Sequence, residues 1–292
     1  MHIEGSLGKF KGIVKRKEPL SPYLTIKVGG DVDWLFIPIC IDDLVYAMEF
    51  SKRMGYRWFV IGNGSKILVP DEGFRGVAIY TARLKGFWLE DDKMTLESGF
   101  PLGEAIRLAM VNNLSGMESL VGIPATIGGA VVMNAGTKYG CIGDIVDRVE
   151  MIDEDGRYTT ISPHFGYRDS DFKGRKIVIT KVYLKLKRSH QDEIREKLIS
   201  SASLRRTQPQ FPRQFGSIFK NPSEGSAGRL IEEAGFKGFR YNGVIISPVH
   251  ANFLLNLGNS ANDIYYVIRL IQEEIYSRFS VFLEPEVNMI GF

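Results

Sequence analysis

Residues Gly122 to Gly136, reading Gly-Ile-Pro-Ala-Thr-Ile-Gly-Gly-Ala-Val-Val-Met-Asn-Ala-Gly, constrain this chain more than any other stretch. They hold four glycines and no charged residue, and most of the rest are small or β-branched. A glycine pair such as Gly128-Gly129 lets backbone approach a ligand closely and adopt positive φ. Successive N–H groups in such a loop can bind phosphate oxygens without any side chain. The same composition suits a tight buried turn between packed elements. On this stretch alone both readings stand.

The whole chain narrows the choice of class. Its 292 residues allow two or three domains and a sizeable core. Hydrophobic residues at 44% and charged residues at 24% describe a soluble globular protein. Lys plus Arg total 37 against 34 Asp plus Glu, and the net charge of +3 is too balanced to argue for nucleic acid. No basic stripe with interleaved aromatics is visible. Cys40 and Cys141 form no CxxC pair and no zinc spacing, which points to reduced cysteines and a cytoplasmic setting. Met1 to Ser6 does not read as a signal peptide, and no apolar run approaches the roughly 18 residues of a membrane span. The histidines His2, His164, His190 and His250 are scattered, so no metal site is expected, and His250 reads as structural.

Along the chain, Trp34 to Ile39 reads as a buried strand, Asp42 caps a helix running to about Met54, and Arg57 to Ile61 is a second strand. That strand runs directly into Gly62-Asn63-Gly64-Ser65. The loop lacks the third glycine of a dinucleotide fingerprint and leads into another strand where that fingerprint opens a helix. It is no P-loop either, since Lys66 follows Ser65 and the spaced upstream glycine is missing. It is an ordinary strand–loop–strand turn, or it holds phosphate through backbone N–H groups and Ser65. Short strands and turns fill residues 74–98. Leu102, Ala105, Ile106, Ala109 and Met110 recur at helical spacing up to Asn112-Asn113, residues 145–162 form a hairpin turning at Asp155-Gly156, and residues 176–187 form a long strand. After a composition shift near 189 come helices at about 191–206, 227–236 and 263–279. Strands are expected at 244–247, 252–257 and 281–284.

Three polar clusters carry possible chemistry. In Phe165 to Phe172, Arg168 can clamp a carboxylate or phosphate bidentately, or pack as a surface arginine on Tyr167. In Gln214 to Pro222, Gly216 lets Ser217 sit in a tight turn with its hydroxyl presented. The segment does not match Gly-x-Ser-x-Gly and has no evident His/Asp partner, which argues against a hydrolase and leaves a structural turn serine as the other reading. In Glu284 to Gly291, Glu286 is a carboxylate that is costly to bury without a partner and otherwise faces solvent.

Taken in order from about residue 25 to 291, these segments resemble the UDP-N-acetylenolpyruvoylglucosamine reductase family, the MurB flavoenzymes of peptidoglycan synthesis, in its shorter type. Thr25 to Gly30 resembles the family's opening motif, Gly62 to Ser65 its first flavin-pyrophosphate loop, and Gly122 to Gly136 its second. Tyr167 to Ser170, Gly216 to Pro222, His250 to Phe253 and Leu283 to Val287 follow in family order. The ordered set is far more specific than any single member.

The resemblance implies an α+β fold: a two-lobed FAD-binding region of the vanillyl-alcohol-oxidase type plus a C-terminal α/β substrate-binding domain. On this chain the lobes fall at 1–65 and 66–189, and the substrate-binding domain at 190–292. It implies non-covalent FAD, NADPH as co-substrate, and reduction of the enolpyruvyl ether of UDP-N-acetylglucosamine to UDP-N-acetylmuramate. Such an enzyme is a cytoplasmic oxidoreductase of cell wall biogenesis, on which cell shape and division depend. It has a small sugar-nucleotide substrate and no nucleic-acid or membrane partner, and its oligomeric state is open, with a slight preference for a monomer. Carried over residue by residue, the flavin contacts are Gly62, Asn63, Gly64, Ser65, Gly122, Ile123, Pro124, Ala125, Thr126, Gly128, Gly129, Ala130, Asn134, Ala135 and Gly136. Arg168 and Glu286 hold the substrate carboxylate where charge develops, Glu286 being useful only if it donates a hydrogen bond. Ser217 protonates the carbon next to the one that accepts hydride. Tyr167, Lys220 and Asn221 contact the substrate. The chain departs from the family pattern at Ala125, where glycine is more usual, at Lys66, where asparagine is common, and at Asn288, where arginine is frequent. The rival readings are another FAD-linked oxidoreductase of the same fold and a non-catalytic flavin- or sugar-nucleotide-binding protein.

Overall fold

The computed structural model describes residues 9–292, the Leu204 side chain excepted, so the readings of Met1 to Ser6 and of His2 lie outside the described residues. Contacts divide the chain into two compact units. The first takes the chain up to Arg16, then Asp33–Asn63 and Arg75–Arg205. The second takes Lys17–Val32, Gly64–Phe74 and Arg206–Phe292.

In the first unit, the strands Ile13–Pro19, Asp31–Ile37, Phe74–Tyr80 and Trp58–Ile61 lie in that order in a four-stranded sheet, with Phe74–Tyr80 parallel to Trp58–Ile61. Asp31–Ile37 starts earlier than expected and stops before Pro38, which has no N–H to give a ladder. Helix α1 (Ile41–Arg53) buries Leu44, Ala47, Met48 and Phe50 against Trp34, Phe36, Val77 and Ile79. Asp42 is not its cap. The N-cap is Cys40, without a side-chain bond, and Asp43 reaches back instead, accepting from Lys11 N at 2.7 Å and Ile39 N at 3.1 Å.

A second, antiparallel sheet runs Tyr158–Ile161, Val146–Asp153, Ile177–Lys185, Lys93–Glu97, Phe87–Glu90. Its long central strand is the one expected at 176–187, and the expected hairpin turns through Asp153, whose Oδ1 accepts from Asp155 N and Arg157 N. Helices α2 (Leu102–Val111) and α3 (Ile127–Val132) pack their apolar residues into one core with this sheet. Helix α3 lies inside the glycine-rich stretch and was not expected, glycine being among the poorest helix formers. It forms because Ile127, Ala130 and Val131 are buried and Thr126 caps it, accepting from Gly129 N at 3.3 Å. Helix α4 (Gln191–Arg206) stays with this unit as far as Arg205, with Ile194 buried, Leu198 packed on the core and Lys197 Nζ donating to Ser115 Oγ at 3.3 Å.

The second unit has an antiparallel sheet, Gln214–Ser217, Phe253–Asn256, Val244–Ile246, Arg240–Tyr241. Helices α5 (Ala227–Glu233) and α6 (Ala261–Phe279) accompany it, and α6 buries Ile264, Val267, Ile268, Ile271 and Ile275, the face read from the sequence. No strand occupies 281–284. Residues 284–286 instead run beside 218–220, with Lys220 N donating to Glu284 O at 2.9 Å and Glu286 N to Ile218 O at 2.8 Å. Asn288–Met289 then pairs in parallel with Ile67–Leu68.

These units differ from the bounds expected at 65 and 189. Residues 17–32 and 64–74 join the C-terminal part because their hydrogen bonds go there. Asn256 Nδ2 donates to Ile26 O at 2.8 Å, Thr25 Oγ1 to Gln214 O at 3.1 Å, and Asn288 N to Lys66 O at 2.8 Å.

Candidate active site

The first glycine loop, Gly62 to Ser65, spans the passage of the chain from the first unit to the second. Gly64 has φ +67°, and a Cβ there would sit 2.1 Å from Tyr23 O, so only glycine fits. Thr25 N of the opening motif donates to Gly64 O at 3.1 Å and braces it. Among the described residues, the backbone N–H groups of Asn63, Gly64 and Ser65 donate to no acceptor of the protein. Three successive free donors are what a phosphate-binding loop needs. Within the first unit, Asn63 Nδ2 donates to Pro124 O at 3.0 Å, which ties this loop to the second.

The second loop is built differently. Ile123 N, Ala125 N, Ile127 N, Gly128 N, Gly129 N and Ala130 N are all engaged within the protein, while Gly122 N and Thr126 N donate to no protein acceptor among the described residues. The loop offers shape and a few donors, not a full set of amides. Ala125 is explained: it is absent from the positive-φ residues, its N–H and C=O bond to Ile123 O and Leu102 N, and its methyl packs on the core.

The hairpin that carries Arg168 docks on the end of this loop. Arg168 Nη2 donates to Gly136 O at 2.7 Å and Nη1 to Asn134 O at 3.3 Å, Asn134 Nδ2 donates to Gly166 O at 2.7 Å, and Ser170 Oγ donates to Val132 O at 2.8 Å. Tyr167 is 58% exposed, and its ring lies 5.6 Å from the Arg168 guanidinium carbon. Arg205, which the sequence reading missed, stands beside them. Its aliphatic stem lies over Gly122, and burial together with the charge of Arg168 holds its pKa below the ordinary arginine value. Two guanidinium groups beside a glycine loop make the flank positive, a setting that fits the pyrophosphate of a flavin dinucleotide. Arginines in the last turn of a helix ordinarily complement its dipole, so the signal was masked.

The remaining predicted residues lie in the second unit. Gly216 has φ +76° and sits where the register slips between Gln214 and Ser217, a bulge that re-aims the strand. Asn252, which is buried, brackets Phe219: Phe219 N donates to Asn252 Oδ1 at 2.9 Å and Asn252 Nδ2 to Phe219 O at 2.8 Å. The Ser217 hydroxyl donates to no protein acceptor among the described residues. Glu286 does not face solvent. Its side chain is 7% exposed, with Oε2 at 2.9 Å from Lys66 Nζ, and the same Nζ donates to Ser217 O at 2.5 Å. Ser217 and Glu286, far apart in sequence, thus meet on one ammonium group.

Lys220 Nζ pairs with Glu284 at 2.8 Å, and Asn221 Oδ1 accepts from Ala227 N at 3.0 Å at the start of α5. His250 Nδ1 accepts from Asn252 N at 3.2 Å and its ring packs on Phe253, the structural role expected of it. Burial lowers its pKa. Among the described residues no cluster of His, Cys, Asp and Glu could hold a metal ion, and no helix is long and apolar enough to cross a membrane.

Comparison with known proteins places the chain in a family. Residues 32–162 match the model of an FAD binding domain, and residues 208–290 that of the UDP-N-acetylenolpyruvoylglucosamine reductase C-terminal domain. The UDP-N-acetylenolpyruvoylglucosamine reductase of Caldicellulosiruptor saccharolyticus is 35% identical over 100% of this chain and 96% of its own. That of Moorella thermoacetica is 38% identical over 95% and 93%. The crystal structure of the Thermus caldophilus enzyme superposes with a TM-score of 0.82 at 35% identity, covering 95% of this chain and 99% of that one. With both family regions present, full-length relatives above 30% identity and the same fold, the chain belongs to the UDP-N-acetylenolpyruvoylglucosamine reductase family.

Proposed function

We propose that this protein is a UDP-N-acetylmuramate dehydrogenase: with non-covalent FAD and NADPH as reductant, it reduces the enolpyruvyl ether of UDP-N-acetylglucosamine to UDP-N-acetylmuramate. It serves peptidoglycan synthesis in the cytoplasm, and through it cell shape and division. The four-stranded and five-stranded sheets of the first unit are the two proposed flavin lobes, and the second unit is the proposed substrate-binding domain.

The observation that carries the reading is the junction of Ser217 and Glu286 on Lys66, next to a loop with free backbone donors. Gly62 to Ser65 and Gly122 to Gly136 would hold the flavin pyrophosphate, with Arg205 beside the second loop. When bound, reduced FAD supplies the hydride that the enolpyruvyl methylene carbon accepts. Negative charge then spreads into the substrate carboxylate, where the Arg168 guanidinium would hold it. The Ser217 hydroxyl gives its proton to the neighbouring carbon. A hydroxyl is a weak acid, but a carbanion conjugated with a carboxylate is a strong base, so a positioned hydroxyl suffices. Tyr167, Lys220 and Asn221 are the proposed contacts to the sugar nucleotide, Lys220 by exchanging Glu284 for a phosphate.

Stopped-flow absorbance tests this. NADPH should bleach the flavin band, and the enolpyruvyl substrate should restore it; bleaching without restoration sinks the reading. Oxygen consumption on turnover, with no effect of the enolpyruvyl substrate, would mark an oxidase instead. Ser217→Ala should still be bleached by NADPH and lose at least ~10²-fold in the rate of restoration. An unimpaired second half-reaction removes Ser217 from its role.

A further inference from the structure

Lys66 and Asn288 are two of the places where this chain departs from the family pattern, and the fold makes them neighbours. Asn288 N donates to Lys66 O at 2.8 Å, at the start of the parallel pairing of Asn288–Met289 with Ile67–Leu68. That register sets Glu286, two residues upstream of Asn288, beside the chain just ahead of Ile67. The result is the ammonium of Lys66 at 2.9 Å from Glu286 Oε2 and 2.5 Å from the Ser217 carbonyl, and 3.9 Å from where a Cβ on Gly216 would stand. A cation is absent at 288 and present at 66.

We propose that Lys66 is the positioning residue of the Ser217–Glu286 pair, setting the direction of the Ser217 hydroxyl through its carbonyl and fixing the Glu286 carboxylate against it. This rests on the reading of Ser217 and Glu286 as residues that act on the substrate. The physical need is plain. Beyond the Gly216 bulge the Ser217–Ile218 peptide is held at one end by Ile218 N donating to Asn252 O at 2.9 Å, and Lys66 holds its carbonyl at the other. A buried carboxylate in an ion pair only accepts hydrogen bonds. Lys66 donates to that carboxylate and so sets where it stands beside Ser217. An error of about 1 Å in such a constellation is enough to cost on the order of 10²-fold in rate.

The test uses the flavin-loaded full-length protein and its flavin-free form. Lys66→Met should be bleached by NADPH yet lose at least ~10-fold in re-oxidation by the enolpyruvyl substrate, with Lys66→Arg recovering most of the loss. In a Glu286→Gln background, Lys66→Met should cost much less than it does alone, because the two act as one unit. In flavin-free protein, Lys66→Met should lower the thermal midpoint by stranding a buried carboxylate, and adding Glu286→Gln should raise it again. If Lys66→Met does not fold, Lys66→Gln, which keeps a donor without the charge, carries the same measurements. Wild-type re-oxidation by the Lys66 variants, together with a disabled Ser217→Ala, overturns the role of Lys66 and leaves the site intact. An unimpaired Ser217→Ala overturns the site reading itself.

Discussion

The two glycine loops look alike in the sequence and are built on opposite plans. Gly62 to Ser65 leaves the amides of Asn63, Gly64 and Ser65 free of any protein acceptor among the described residues. Gly122 to Gly136 spends most of its amides on its own short helix and on Ser98, Phe100 and Ile123. The first is an open set of donors held by a glycine at a position where a side chain would clash with Tyr23 O. The second is a shaped wall, capped by Thr126, flanked by Arg168 and Arg205, and packed from behind by the core. Glycine richness alone therefore does not say how a loop meets a phosphate. Where the backbone bonds go decides it.

Substitutions can break or sharpen this contrast. The largest effect is expected from Gly64→Ala. A methyl at φ +67° and 2.1 Å from Tyr23 O cannot be absorbed without moving main chain, so stability should fall by ~3 kcal/mol or more and the flavin absorption band should be lost. A variant that melts like wild type and stays yellow would show that the first loop is not rigidly held. Thr126→Val should act on the second loop through its helix alone. It removes the cap on Gly129 N and keeps the free Thr126 amide, so chemical denaturation should show a loss of ~1 kcal/mol with flavin affinity nearly unchanged. Equal losses in stability and flavin affinity would place the Thr126 hydroxyl on the cofactor. The smallest change is expected from Asn63→Ala, which cuts one exposed bond between the loops. It should cost ~1 kcal/mol or less, read as a few-fold weaker flavin binding by fluorescence titration. No change there would mean that the loops are positioned independently.

Much of this architecture was legible beforehand, because it rests on local chemistry. Hydrophobic spacing located α2 and the buried face of α6, Asp155-Gly156 located a hairpin turn, and glycines marked Gly64 and Gly216 as positions of unusual backbone. The failures share one cause. Helix α1 starts at Ile41 behind Cys40 with no side-chain cap, helix α3 formed in a glycine-rich run, and 281–284 proved not to be a strand, each time because tertiary contacts outweighed local preference. Arg205 was hidden because an arginine in the last turn of a helix ordinarily complements the helix dipole.

Read alone, the sequence determined the order of the motifs, and through their resemblance to one family it implied the fold class and the residues proposed to touch flavin and substrate. Only the tertiary structure decided which of the two loops keeps its amides free, and that Glu286 is buried on Lys66 instead of facing water. The physical reason is register. Lys66 meets Ser217 and Glu286 because Asn288 pairs with Ile67 and Glu286 N bonds to Ile218 O. Pairings between segments so distant along the chain leave no periodicity in either segment from which they could be read.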